Sequence, residues 1–193
     1  MLMLNTTRLK ERYKRIIEPN IEHIKNKVVL DLGCYNGRWS YAAIKNGAKF
    51  VIGVDARNNI LLTDDKFRFI QSDVFDIHIQ HGVDTIFCLG LFYHIMDHFR
   101  LFKLMDSFNP EVIILDTHLE NTDDCIISVR KEDTEYELNS ITELSGKISK
   151  GTLKLFAEYF GYDLEYMEWK PPIVKYTEDY YDDRYTIRMR KYA

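Results

Sequence analysis

The chain has 193 residues, a length for one domain with a full apolar core, and at 46% hydrophobic and 13% aromatic it is globular in composition rather than disordered. No apolar run reaches the ~18 residues needed to cross a bilayer, and Met1–Leu4 gives way at once to polar residues, unlike a signal peptide. A net charge of −4 argues against a dedicated nucleic-acid binder, and the three cysteines, Cys34, Cys88 and Cys125, show no C-x-x-C spacing for a disulfide or a metal. The expectation is a reduced, cytoplasmic, metal-free protein without membrane partners.

Residues 6–25 read as an N-terminal helical segment with Leu9, Tyr13, Ile16 and Ile17 on one face, and Pro19 divides it into two short helices. From residue 8 to residue 27 seven basic side chains face three acidic ones, and the far end carries Arg184, Arg188, Arg190 and Lys191. Basic termini on an acidic body suit contact with phosphate, or are simply solvated faces. The core, 27–193, opens with a strand at 27–32. A helix over 38–45 follows, closed by Asn46-Gly47. Strands are expected at 50–55, 67–71, 85–89 and 112–116, with a helix over 95–108 carrying Ile95, Phe99, Phe102, Met105 and Phe108 in one stripe. Residues 118–147 are charged, with short β-prone pieces at 126–129 and 136–138. A helix over 151–160 leads through Gly161 to a strand at 163–169, then to a loop opened by Pro171-Pro172. Residues 185–190 alternate apolar and basic, as a last, antiparallel strand does. The alternation of strand and helix predicts a single α/β domain: a doubly wound, mostly parallel, seven-stranded Rossmann-like sheet.

In such sheets a ligand lies outside the carboxyl ends of the strands, where strand order reverses. Those ends carry Gly33, Asp55, Asp73, Gly90 and Asp116. Gly33 lets the chain turn sharply and brings bare backbone to a ligand, and Gly37 permits close helix packing. Asp55, about 20 residues after the turn, is placed to accept from both hydroxyls of a ribose. A dinucleotide site requires further glycines, but Tyr35 and Arg38 hold those positions, and Tyr35 crowds the helix start that would cradle a pyrophosphate. Asp31, just before the turn, would repel phosphate and suits an ammonium group instead. Taken alone, the glycine pair is equally the chemistry of a plain strand–turn–helix.

The later segments decide the matter. Val28–Gly37, Val51–Asp55, Phe69–Val74, Asp84–Gly90 and Val112–Asp116 resemble, in order, the five motifs of class I S-adenosylmethionine-dependent methyltransferases, across residues 27–117. The family commonly has glycine where Tyr35 stands. Gly90-Leu91-Phe92-Tyr93-His94 is similar to the G-x-x-Y-H signature of the branch holding tRNA wobble-uridine-modifying and small-molecule methyltransferases. The resemblance implies S-adenosyl-L-methionine as cofactor, held by Asp31, Gly33, Cys34, Tyr35, Gly37, Asp55, Ala56, Asp73, Val74, Leu89 and Gly90. Asp73 would serve the adenine amine.

Methyl transfer from a sulfonium is an in-line displacement in which the protein aligns the reactants and excludes water, and a base is needed only for a protonated acceptor. Tyr93 and His94 are the candidate catalytic groups, with Arg8, Arg38 and His118 toward the substrate. Gly90 stands where a catechol-type metal site would need an acid, so no metal is expected. The net charge favours a small-molecule acceptor. A tRNA or nucleoside acceptor, by methyl or carboxymethyl transfer, is the alternative, with Arg38 or Arg8 as cation for the extra carboxylate. A non-catalytic partner subunit is the third reading. Tyr176, Tyr180, Tyr181 and Tyr185 could stack a planar acceptor or pack on the sheet edge.

Overall fold

Continuous apolar runs become strands buried on both faces, and they set the architecture. The computed structural model describes residues 7–135, 141–167 and 184–192. Helix α1 (Thr7–Ile16) and a 3-10 helix (Glu18–His23) precede β1 (Val28–Leu32), α2 (Arg38–Lys45), β2 (Phe50–Asp55), β3 (Phe67–Gln71) and β4 (Thr85–Leu89). Then come α3 (His98–Ser107), β5 (Val112–His118), β6 (Ile127–Lys131), β7 (Leu144–Ile148), α4 (Lys150–Phe160), β8 (Tyr162–Tyr166) and β9 (Arg184–Lys191). Seven strands form one sheet in the order β3-β2-β1-β4-β5-β9-β8, and β6 and β7 form a separate two-stranded sheet. The first five strands of the large sheet are parallel, whereas β9 runs antiparallel to both β5 and β8. Strand order reverses between β1 and β4, which places the switch point of a doubly wound sheet there.

Alternate residues of the buried strands feed two cores. On one face Val29, Val51, Phe87 and Ile114 pack with Leu9 and Ile16 of α1 and with Trp39, Ala42 and Ala43 of α2. On the other, Leu30, Ile52, Ile86 and Ile113 pack with Leu101, Phe102 and Met105 of α3 and with Leu153 and Ala157 of α4. Phe102 is fully buried and stacks on Phe160 with centroids 5.3 Å apart.

Three elements differ from the sequence reading. The helix expected over 95–108 starts at His98, because residues 92–94 make a short 3-10 turn, Ile95 is extended, and Asp97 caps the helix by accepting from the Arg100 amide. The strand expected at 112–116 continues to His118. The segment 118–147 contains the β6–β7 hairpin, of which only the first strand was legible. In β7, Gly146 is a close-approach position: a Cβ there would lie 2.8 Å from His98 Cε1. The strand expected at 163–169 runs over Tyr162–Tyr166. The β-prone piece at 136–138, Pro171-Pro172, and Tyr176, Tyr180 and Tyr181 lie outside the described residues. No described helix is long and apolar enough to cross a membrane.

Asp31 lies beneath the turn after β1, 1% exposed, and accepts from the Ser40 hydroxyl at 2.6 Å. Burial, reinforced by the Asp55 charge and partly offset by Ser40, pushes its carboxyl up to about 7. The folded state therefore holds this proton more tightly than the unfolded chain, whose carboxyl titrates near 4. Stability contributed by the protonated form is full below that value, falls as pH rises, and is gone above about 7. Asp31→Asn, which keeps an acceptor for Ser40, should stabilise the fold by on the order of 4 kcal/mol at about pH 8 and by nothing near pH 4. Urea unfolding at the two pH values checks this, and equal gains at both would remove the buried-carboxyl reading.

Candidate active site

The carboxyl ends of β1, β2 and β4, with the turns after them, open onto one cavity of about 510 Å³. Gly33 has φ +70, and a Cβ there would lie 2.9 Å from that of Leu91, so the turn after β1 tolerates only glycine without rearrangement. Its amide and that of Cys34 both donate to the Val54 carbonyl, which ties the turn to β2. Asp55 ends β2, and its two oxygens accept from the amides of Tyr35 at 2.8 Å and Arg57 at 2.9 Å. Each oxygen keeps a lone pair, so the side chain can accept from two adjacent hydroxyls. Tyr35 has φ +48, a left-handed conformation that explains why glycine suits this position. Asp73 caps a short 3-10 turn by accepting from Phe75 at one oxygen, and its other oxygen has no partner among the described residues.

At the far side, β4 runs through Gly90 into the turn carrying Tyr93 and His94. His94 Nδ1 lies 2.7 Å from Glu132 Oε2, just beyond β6. Burial lowers the His94 pKa, against the opposing pull of Glu132, so the ring is neutral near pH 7. Tyr93 packs edge-on against His118, with centroids 4.7 Å apart. Beneath them Asp116, fully buried two residues before the end of β5, accepts from Arg12 at 2.8 Å, from Arg184 Nε at 2.7 Å and from Thr186 at 2.8 Å. Burial alone would raise the Asp116 carboxyl, but the two guanidiniums overturn that and hold it well below the usual carboxylate range. Burial and the nearby Arg184 bring Arg12 down to about 10, still cationic.

The cavity is lined by Gly33, Tyr35, Asp55, Ala56, Asp73, Val74, Leu89, Gly90, Tyr93 and His94, together with Arg8 and Arg38. Four predicted residues do not line it. Asp31 points back to Ser40. The Cys34 thiol packs over Gly53, whose Cβ would lie 2.9 Å from it, and Gly37 lies under Ile60 and Leu62. His118 is engaged by Arg184 at 3.1 Å and reaches the site through Tyr93. Arg12, Arg57 and Arg184 join the lining without having been singled out for it. Arg12 and Arg184 stood within the basic runs, but nothing in those runs showed which guanidiniums turn inward. Glu132 gave no signal, because its role depends on a hairpin closing 38 residues after His94.

Residues 8–140 match the FtsJ-like methyltransferase family. The chain belongs to that family. S-adenosylmethionine is the cofactor of this class of methyltransferase, and the open lone pairs of Asp55, the bare turn at Gly33 and the unpartnered oxygen of Asp73 fit its ribose, its backbone approach and its adenine amine. A tRNA U34 carboxymethyltransferase of Nautilia profundicola is 29% identical over 155 residues, 72% of this chain and 51% of that protein. The chain thus spans about half the length of this curated relative. The N-terminal domain of EvdMO1, crystallised with SAH bound, superposes with a TM-score of 0.69 at 16% identity, covering 95% of this chain and 80% of that one. An S-adenosylmethionine dependent methyltransferase from Mesorhizobium loti gives 0.67 at 17% identity, covering 90% and 96%. At these identities the structures share the fold.

Removal of the Asp116 carboxylate leaves two buried guanidiniums uncompensated. Asp116→Ala should cost about 3–5 kcal/mol, read as a lower urea midpoint. Asp55→Ala removes a charge-assisted acceptor worth roughly 1.5–3 kcal/mol, so S-adenosylmethionine should bind about 10- to 100-fold more weakly, and the fold, which loses the acceptor of the Tyr35 and Arg57 amides, should be somewhat less stable but still folded. Equal calorimetric affinities for wild type and variant would remove the ribose assignment.

Proposed function

We propose that this chain transfers a methyl group from S-adenosylmethionine to a nucleoside of tRNA. The observation that carries this reading is the charge of the cavity: Arg8, Arg12, Arg38, Arg57 and Arg184 line it against Asp55, Asp73 and Asp97, and with Asp116 beneath Arg12 and Arg184 one positive charge remains in excess. The small-molecule expectation rested on the net charge of −4, but that charge is spread over the whole chain, whereas the guanidiniums converge where an acceptor enters. The N-terminal helix and the last strand, 172 positions apart from Arg12 to Arg184, meet there because both grip Asp116. An anionic acceptor fits such a rim, and the tRNA-modifying relative makes a nucleic acid the natural choice within that class.

In this reading Asp55 holds the ribose diol and Asp73 the adenine amine, which directs the sulfonium end of the cofactor toward Tyr93 and His94. The cofactor supplies the methyl group and its own leaving group. Neutral His94 takes the acceptor proton through its ring nitrogen, Tyr93 walls the approach, and Arg8 and Arg38 at the mouth engage phosphate. A carboxymethyl donor is the second reading. Its carboxylate needs a cation beside the transferred carbon, and the Arg12–Asp116–Arg184 trio brings one net positive charge to the cavity wall.

Filter binding of total tRNA across a salt series tests the acceptor. Affinity should fall with salt at a log–log slope of about −0.7 per phosphate contact for a single strand, and incubation with S-adenosylmethionine should label a tRNA nucleoside. Salt-independent, weak retention would return the reading to a neutral small molecule. The mass of the product nucleoside separates methyl from carboxymethyl.

A further inference from the structure

The β6–β7 hairpin is not part of the large sheet, but Ile148 of β7 packs into the core that α3 and α4 share, and two further contacts fix the hairpin on either side of the catalytic turn. At mid-ladder, where Gly146 pairs with Val129, His98 Nε2 lies 3.0 Å from the Gly146 carbonyl. Beyond its end, Arg57 donates to the Thr134 carbonyl at 3.0 Å, next to the segment that holds Asp55. Between these points the Glu132 amide donates to the Glu143 carbonyl at 2.8 Å, which holds its backbone in register. The Glu132 side chain is 5% exposed, with Oε2 2.7 Å from His94 Nδ1 and Oε1 accepting from Arg130 at 2.9 Å.

A carboxylate has no proton to give, so the ring nitrogen facing it carries the hydrogen. His94 Nε2, the other ring nitrogen, makes no hydrogen bond to any described residue, and His94 lines the cavity. We propose that Glu132 is a positioning residue that fixes His94 as the Nδ1–H tautomer and so aims the Nε2 lone pair at the methyl acceptor. The assignment of an acceptor rests on the function proposed above, whereas the tautomer does not. When the acceptor attacks, its N–H or O–H proton passes to Nε2, the carbon–sulfur bond breaks with its electron pair on sulfur, and the imidazolium formed faces a carboxylate already in place. The proton then leaves to water through the cavity.

Three charged groups act on the ring: Glu132 and Arg130 from the hairpin, and Arg184 from β9. Glu132 favours the protonated ring, and both arginines oppose it. Loss of the carboxylate should therefore lower the His94 pKa further. Activity that needs a neutral ring fails as pH falls through that pKa, so the acid limb of the rate profile should move to lower pH. A side chain that merely holds the hairpin would reduce the rate at every pH without moving the limb.

The experiment uses the full chain with S-adenosylhomocysteine, labelled with 15N-histidine. Wild type should show His94 protonated at Nδ1 and bare at Nε2, and Glu132→Ala should shift the proton to Nε2. Glu132→Gln, which keeps an acceptor oxygen, should retain the tautomer while its acid limb moves down. With total tRNA and S-adenosylmethionine, Glu132→Ala should lose about 10- to 100-fold in single-turnover rate, a part of the ~10²–10⁴ that a general base contributes. Cofactor affinity should be unchanged. An Nε2–H ring in wild type, or the same tautomer in Glu132→Ala, would overturn the proposal. If Glu132→Ala does not fold, an unmoved acid limb in Glu132→Gln overturns it instead. A wild type that shows the Nδ1–H ring but labels no tRNA would overturn the proposed acceptor and leave the tautomer assignment standing.

Discussion

Asp116 is a charge that the interior accepts only because two others meet it. Its carboxylate lies in β5 with no exposure, and the guanidiniums that satisfy it come from α1 and β9. Arg12 also donates to the Leu89 carbonyl at the end of β4 and lies over the Trp39 ring of α2, so one side chain joins four elements. Arg184 reaches from Asp116 to His118 and lies over Tyr93. A buried triad of this kind contributes little net stability compared with an apolar replacement, but the loss of any member is costly. Its effect is geometric: the N-terminal helix and the last strand are brought to the same rim.

The parallel core was legible because strands buried on both faces carry the strongest pattern that a sequence offers. The reading placed α2, β2, β3 and β4 at their observed bounds, since Asn46-Gly47 and strand-end acids punctuate them. Asp97 was the missed signal for the start of α3, an N-cap hidden inside an apolar stripe. The second hairpin strand, Leu-Ser-Gly-Lys-Ile, carries too few β-branched residues to announce itself, and it pairs with β6. Within the site, the strand-end residues Asp55, Asp73 and Gly90 follow from topology and could be named in advance. Arg57 and Glu132 could not, because they depend on which way a loop and a hairpin fold over the cavity.

Asp31 shows the limit of reasoning from residue type. An acid before a glycine turn suggested an electrostatic partner for a cation, yet its oxygen turns to Ser40 in the layer behind the turn. Its carboxyl borders the apolar packing beneath the cavity, and that packing dominates its ionisation. The same sequence position therefore bears on how firmly the turn is held.

Gly146 carries no functional group, and its neighbours are the His98 ring and Met96. The smallest possible addition there, a methyl group, would meet the His98 ring at 2.8 Å and push the middle of the hairpin outward. Because the hairpin is short and its strands are paired along their whole length, that displacement would be felt at Glu132, fourteen positions earlier in the chain. A replacement that adds one carbon, with no charge and no hydrogen-bonding group, would thus act on the chemistry of a histidine that it never touches. The tolerance of this chain to substitution is set by such spacing as much as by the identity of its polar residues.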